Sequence, residues 1–184
     1  MSILNDMNFE SNSNYKFNFD GGDMSSDAGM LLIKEFSEKI GLLPLLEEFK
    51  TNDDASFRIH TDAKILFQLA CQIIAGYFED CRADDIADDP VFKAILDKDI
   101  MASQPTISRF YSRLDHDTLE QLNEIAKTMR EIIYSIEMPA EVLFDIDTTH
   151  FETYGNQEGS SFNTHYQSTG YHPILCYDAI SKDL

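Results

Sequence analysis

Two aspartates stand two residues apart in an apolar stretch of the sequence. Asp145 and Asp147 alternate with hydrophobic residues in the segment AEVLFDIDTTH, residues 140–150. Such alternation places both carboxylates on one face of a β-strand, with their Cα atoms roughly 6.6 Å apart. Carboxylates this close raise each other's proton affinity unless a cation lies beside them, and Mg²⁺ prefers one or two carboxylates together with water and phosphate oxygens. The spacing predicts a magnesium site for phosphoryl or nucleotidyl transfer, and a strand end with solvated aspartates is the alternative.

A second set of candidate residues lies on a predicted helix that begins at Pro105, since proline suits the first helical turn. Apolar residues at helical spacing predict its buried face: Ile107, Phe110, Tyr111 and Leu114. Its other side carries residue types that contact DNA phosphates and base edges, namely Thr106, Ser108, Arg109 and Arg113. With the preceding segment PVFKAIL this helix would complete a helix-turn-helix. An ordinary amphipathic helix with a solvated polar side fits the pattern equally well.

Hydrophobic periodicity divides the chain into three predicted parts. Residues 1–14 are polar and predict a loose N-terminus, although the following segment YKFNF reads as a short strand. Residues 15–138 are mainly helical, and their most apolar helix runs from a cap at Thr61 or Asp62 through Phe78. The third part begins at residue 139, and from Glu141 the period changes from helical to two. We expect a strand over residues 141–147 that pairs with one near residues 171–178 and shows both aspartates on its less buried face.

The charge balance opposes binding to nucleic acid. The chain has 14 basic and 33 acidic residues and a formal net charge of −19. A charge of this sign repels DNA and anionic membranes unless basic patches or metal ions act locally. The three cysteines suggest neither a disulfide framework nor a zinc site, and no segment is apolar and long enough to span a bilayer. These features predict a cytoplasmic protein without a membrane partner.

Several blocks of the sequence, taken in order, resemble the DDE transposases of bacterial insertion sequences, in the branch with a group 1 DDE domain. The blocks are FDGGDMSSDAGMLLIKEF, AGYFEDCRADDIADDPVFKAIL, ASQPTISRFYSRL, and LFDIDTTHFETYGNQ together with GYHPILCYD. The resemblance implies an α+β chain in which a helical N-terminal region precedes the first strands of a ribonuclease-H-like mixed sheet. It also implies Mg²⁺ or Mn²⁺ as cofactor and transposon-end DNA as partner. On this pattern Asp147, before the Thr-Thr pair, is the best match to the first carboxylate of the catalytic triad and is the metal ligand. Asp145 is the second choice for this role and otherwise a supporting carboxylate.

The family's other catalytic Asp and Glu would lie downstream of Leu184. The resemblance therefore implies a truncated catalytic domain over residues 139–184, with weak or absent metal binding, no transposition by this chain alone, and possible self-association. One alternative is an acidic helical interaction or regulatory protein without catalysis. Another is a fragment of a haloacid-dehalogenase-like phosphatase, with Asp145 as nucleophile and Asp147 as general acid and base. The histidines near this strand match no zinc signature, so packing or surface roles are expected for them.

Overall fold

A computed structural model describes residues 7–8, 16–17, 26–53, 57–97 and 100–180. The chain divides into two units, Met1–Ile133 and Tyr134–Leu184, at a point shortly before the predicted domain boundary at residue 138. Described helices dominate the first unit and described strands the second, which confirms the predicted α+β class. Among the described residues no helix has the length and apolarity needed to cross a membrane.

Two short strands lie near the start of the chain. β1 (Met7–Asn8) pairs antiparallel with β2 (Lys16–Phe17). β2 confirms part of the strand predicted from the segment YKFNF. β1 corrects the predicted loose terminus at its own two residues, because their backbone is paired, and the rest of residues 1–14 lies outside the described residues.

The described residues between 26 and 136 are mainly helical, as predicted. They form α1 (Met30–Lys39), α2 (Leu42–Glu47), α3 (Asp62–Ile74), α4 (Arg82–Asp85), α5 (Pro90–Ile95), α6 (Gln104–Tyr111) and α7 (His116–Ile136). α3 begins at its predicted cap, where Thr61 Oγ1 accepts a hydrogen bond from the Lys64 amide at 3.3 Å. It ends before the predicted Phe78, because Gly76 adopts φ +90°, a conformation that favours glycine.

The core of the first unit forms around α3. Ile65, Phe67 and Cys71 on this helix are almost fully buried and contact apolar side chains from the other helices. Those side chains include Phe92, Ile95, Ile107 and Phe110, and Phe49 joins them from the segment after α2. The buried side of α6 therefore matches the prediction at Ile107 and Phe110, whereas Tyr111 is 47% exposed. Burial of these aromatic and aliphatic groups is the main stabilising contribution to the helical unit.

Two buried glutamines on α3 should respond oppositely to the same substitution. The Gln68 side-chain amide donates to the Ala102 carbonyl at 2.8 Å and accepts from the Ala102 backbone N–H at 2.9 Å. No described group forms a hydrogen bond with the Gln72 side-chain amide. We expect Gln68→Met to lower the free energy of unfolding by about 2 kcal/mol, because the buried Ala102 groups lose their partners. Gln72→Met should raise it by about 1 kcal/mol, since a buried amide without partners is costly. Urea denaturation of both variants measures this contrast, and shifts of the same sign would contradict it.

The second unit is built from short antiparallel strands. These are β3 (Phe144–Thr148), β4 (Phe151–Glu152), β5 (Ser161–Asn163), β6 (Ser168–Tyr171) and β7 (Ile174–Asp178). β3 pairs with β7, while β6 lies between β4 and β5. The strand predicted over residues 141–147 thus starts later, at Phe144, and its predicted partner near residues 171–178 is confirmed as β7. β5 and β6 form an antiparallel hairpin in which Phe162 is opposite Thr169.

Candidate functional site

The two aspartates singled out in the sequence lie on β3, on one face of its pairing with β7. Asp145 is opposite Tyr177 and Asp147 is opposite Leu175. Residues two apart on a strand share a face, so the predicted common face is confirmed. All five β3 residues are exposed, and Ile146 between the aspartates is 66% exposed. The predicted difference in burial between the two faces of β3 is therefore wrong for these five residues.

The chemistry of this pair suits a hard, partly hydrated cation. Neither Asp145 nor Asp147 forms an ion pair with a described residue, so no cation of the described residues offsets their repulsion. One oxygen of Asp147 accepts a hydrogen bond from the Thr148 amide at 2.7 Å, which orients the carboxylate. Carboxylate oxygens are the ligands that Mg²⁺ and Mn²⁺ prefer. The described residues contain no group of three potential metal ligands, so these two carboxylates fit only part of a coordination shell.

The predicted DNA-binding residues lie on α6 or just beyond it, in the other unit. Ser108 and Arg109 are exposed, and Thr106 is partly buried with its hydroxyl 3.2 Å from that of Ser103. Ser103 is the N-cap of the helix, so the Thr106 hydroxyl contacts a residue at the start of α6. Arg109 is the member of this set whose charged group has no described partner.

Arg113 is placed differently from the prediction. It lies beyond the end of α6 at Tyr111, and its side chain is 21% exposed rather than free on a helix surface. Its guanidinium contacts Asp62 at 3.0 Å, the Thr51 hydroxyl at 3.0 Å and Asp53 at 3.5 Å. The expectation of an exposed Arg113 is therefore wrong, because acidic groups distant in sequence fold against it.

Asp62 is the centre of this ion-pair cluster. It is 6% exposed and accepts hydrogen bonds from the Thr51 amide, the Thr51 hydroxyl, Arg58 and Arg113. Burial alone would raise the pKa of Asp62. The hydrogen bonds from Thr51 and the two arginines outweigh burial, and the pKa lies below its ordinary value. The cluster joins α3, the segment before it and the C-terminal side of α6.

The start of α6 has the wrong electrostatic surroundings for a DNA contact. The Gln104 amide donates to Asp84 at 3.0 Å, and its side chain donates to Asp80 at 2.9 Å. A recognition helix contacts bases with its N-terminal residues, which here lie beside two carboxylates. Residues 96–103 separate α5 from α6, whereas a helix-turn-helix uses a turn of about 3–4 residues. The predicted helix-turn-helix is therefore not formed by this helix pair.

Two further cations were missed in the sequence. Among the Lys and Arg side chains that the structure describes, three have no acidic or other partner: Lys50, Lys64 and Arg109. Lys50 and Lys64 line one cavity of about 450 Å³ with Arg58 and Asp62. Arg113 links this cavity to Arg109, since it contacts Asp62 and also donates to the Arg109 carbonyl. No local sequence signal joins these residues, because they meet only through the Asp62 cluster.

Comparison with known proteins gives one match. The family described as "Transposase DDE domain group 1" matches residues 7–184. No curated protein and no solved structure matches the chain.

Proposed function

The chain belongs to the family of transposases with a group 1 DDE domain, and we propose that its helical unit binds the phosphate backbone of transposon-end DNA while β3 supplies carboxylates for the catalytic metal. Transposases of this family generally use divalent metal and bind the ends of their element. The observation that carries the metal proposal is the placement of Asp145 and Asp147 on one exposed strand face without a described cation partner.

Asp147 is proposed as the first metal-binding carboxylate and Asp145 as its support. Bound Mg²⁺ would supply charge neutralisation at the phosphodiester and a lowered pKa for an attacking water or 3′-hydroxyl. In this chain the Thr148 amide holds one oxygen of Asp147, which leaves the other oxygen available as a ligand. Two carboxylates do not complete a two-metal site, so we do not expect these 184 residues alone to cleave DNA.

The DNA contact is proposed at the unpaired cations rather than at the start of α6. Lys50, Lys64 and Arg109 lie around the Asp62 cluster, whose carboxylate is already neutralised by Arg58 and Arg113. A phosphate there would meet the positive charges of Lys50 and Lys64, opposed by Glu47, which also lines the cavity, whereas Asp80 and Asp84 would repel it at the start of α6. Ser108 and Thr106 stay predicted contacts, secondary to the three cations. Arg113 contributes indirectly, through its contacts with Thr51 and Asp62.

We expect the salt dependence of DNA binding to report these cations individually. For a short B-DNA duplex of arbitrary sequence, log K falls with log salt concentration with a slope of about −0.9 for each phosphate neutralised. Arg109→Ala should therefore weaken binding at low salt and reduce the slope by about one, and Lys50→Ala with Lys64→Ala should reduce it by about two. Fluorescence anisotropy at several salt concentrations measures both quantities.

A paired lysine in the same unit provides the matched control. Lys93 forms an ion pair with Asp88 at 3.0 Å, so Lys93→Ala removes a positive charge without touching the proposed surface. Binding should be unchanged in slope for this variant. An equal loss in Lys93→Ala and Arg109→Ala would mean that only net charge matters. A chain that binds no duplex at low salt would instead favour the acidic interaction protein as its function.

A further inference from the structure

The strand that carries the aspartates belongs to a longer two-stranded ribbon. The β3–β7 register ends with Thr148 opposite Ile174, and the β4–β6 register begins with Phe151 opposite Tyr171. Moving one residue at a time along both strands leads from the first pairing to the second, so the register is continuous. The Thr149 amide donates to the Pro173 carbonyl at 3.3 Å in the same register. β3 and β4 are thus successive parts of one strand, and so are β6 and β7.

Pro173 removes one hydrogen bond from the ribbon, because proline has no amide hydrogen to donate to the Thr149 carbonyl. The next pair along the ribbon is His150 and His172, which stand directly opposite each other. This pair alternates with the hydrogen-bonded position at Thr149, so it occupies a non-hydrogen-bonded position, where side chains approach most closely. The two imidazole rings stack at a centroid distance of 4.6 Å and an angle of 16°, and their Nδ1 atoms are 3.2 Å apart.

Neighbouring groups determine which imidazole nitrogens carry protons. Asn163 Oδ1 accepts hydrogen bonds from the His165 and Tyr166 amides, so its Nδ2 group must be the one facing His172 Nδ1 at 3.1 Å. His172 Nδ1 is then an acceptor, so a hydrogen bond between the two rings requires the proton to be on His150 Nδ1, which shares the His172 lone pair with the Asn163 amide. With Nδ1 of His150 protonated, its Nε2 accepts from the Ser168 hydroxyl at 2.5 Å.

The surrounding residues fit this arrangement. His150 also stacks on Tyr166 at 4.8 Å and 8°, so it lies between two rings. A Cβ atom at Gly170 would clash with the Phe151 carbonyl oxygen and would lie 2.5 Å from His150 Cε1. Only glycine leaves room for the ring there. Asn163, Ser168 and Gly170 all belong to the β5–β6 hairpin, which thereby connects to the aspartate strand through His150.

The pair does not have the geometry of a metal site. In the tautomers assigned above, His150 Nδ1 carries a proton and His172 Nδ1 already accepts from the Asn163 amide, so neither Nδ1 atom has a free lone pair for a metal ion. No third His, Cys, Asp or Glu joins them among the described residues.

We propose that His150 and His172 are positioning residues that hold the register of the ribbon across Pro173 and so fix the face on which Asp145 and Asp147 lie. A slip of one residue would turn both carboxylates to the opposite face, because side chains alternate along a strand. His150 is separated from Asp147 by two residues, so a register fixed at the imidazole pair is transmitted directly to the carboxylate. The relevance of this device to metal chemistry rests on the function proposed above, whereas its effect on the register does not.

Substitutions at His172 distinguish the contribution of the Nδ1 acceptor from that of the aromatic ring. Asn places its carbonyl oxygen near the position of Nδ1, whereas Gln reaches the position of Nε2 and Phe keeps only the ring. We expect His172→Phe and His172→Gln to speed amide hydrogen exchange at Thr149 by about tenfold and to weaken the cross-strand Hα contact of Thr148 with Ile174. His172→Asn should retain most of the protection. Nitrogen chemical shifts of the wild-type imidazoles should show His172 protonated on Nε2 and His150 on Nδ1.

The result that overturns the proposal is equal exchange in wild type and His172→Phe, or equal loss in the Asn, Gln and Phe variants. Loss of the folded state in all three variants counts as the second of these outcomes. Asp147→Asn is the control for the proposed function. It should leave the exchange at Thr149 unchanged and alter only the response to Mn²⁺. If wild type shows no Mn²⁺ response at β3, the metal proposal fails while the exchange data still decide the role of the histidines.

Discussion

Replacing Asp62 with asparagine is expected to destabilise the helical unit by about 3 kcal/mol, which is typical of breaking a buried ion pair. One carboxylate oxygen accepts two hydrogen bonds from Thr51 and the other accepts from Arg58 and Arg113. An amide cannot replace both oxygens, because its NH₂ group would face either the Thr51 donors or the arginines. The free energy of unfolding in urea measures the effect.

Asp88→Asn is the matched control for this prediction. Asp88 also forms an ion pair with a basic residue, Lys93, but its side chain is fully exposed. Exposed pairs contribute roughly 0–1 kcal/mol, so this variant should be nearly as stable as wild type. Equal stability of the two variants would show that the Asp62 cluster does not hold the helical unit together.

The same carboxylate should give the unfolding free energy a defined pH dependence. The pKa of folded Asp62 lies below its ordinary value of 3.8, so its contribution is fully present above that value. As the pH falls through the folded pKa, the contribution is lost. The stability difference between wild type and Asp62→Asn should therefore be constant near neutral pH and narrow below about pH 4.

Asp147→Asn is expected to weaken Mn²⁺ binding at β3 by at least tenfold, because neutralising one of two carboxylates removes both a ligand and half of the local negative charge. Asp145→Asn should have a smaller effect, since Asp147 is the carboxylate oriented by the Thr148 amide. Titration of Mn²⁺ while observing the Thr148 amide resonance gives both affinities. Equal affinities in wild type and Asp147→Asn would assign no ligand role to Asp147.

Local patterns were sufficient to predict the starts of α3 and α6 and the face of the aspartates. Thr61 and Pro105 are helix-start signals that act through neighbouring residues, and α3 and α6 begin at or near them. The alternation at Asp145 and Asp147 likewise needs no distant information. These predictions depend on covalent geometry and on contacts within a few residues, which the sequence displays directly.

Contacts between distant segments account for the errors. Arg113 follows Arg109 at helical spacing and so was expected on the same exposed face, but Asp62, its partner, is 51 residues away. The Lys50 and Lys64 cavity escapes prediction for the same reason. The pairing of His150 with His172 becomes visible only when the register of β3 and β7 is known. Sequence periodicity shows which residues share a face of a helix or strand and where an element ends. It does not show which distant faces come into contact.

The most direct test of the metal site is the place at which Mn²⁺ first broadens backbone amide resonances of the wild-type chain. With a net charge of −19, weak binding at many surface carboxylates is expected, so location is more informative than total affinity. A site on β3 predicts that Thr148 and Leu175 broaden at lower Mn²⁺ concentrations than residues near the acidic pair Asp84 and Asp85, and that Asp147→Asn removes this preference. Earlier broadening at α4, or an unchanged pattern in Asp147→Asn, would contradict the assignment of Asp147 as a metal ligand.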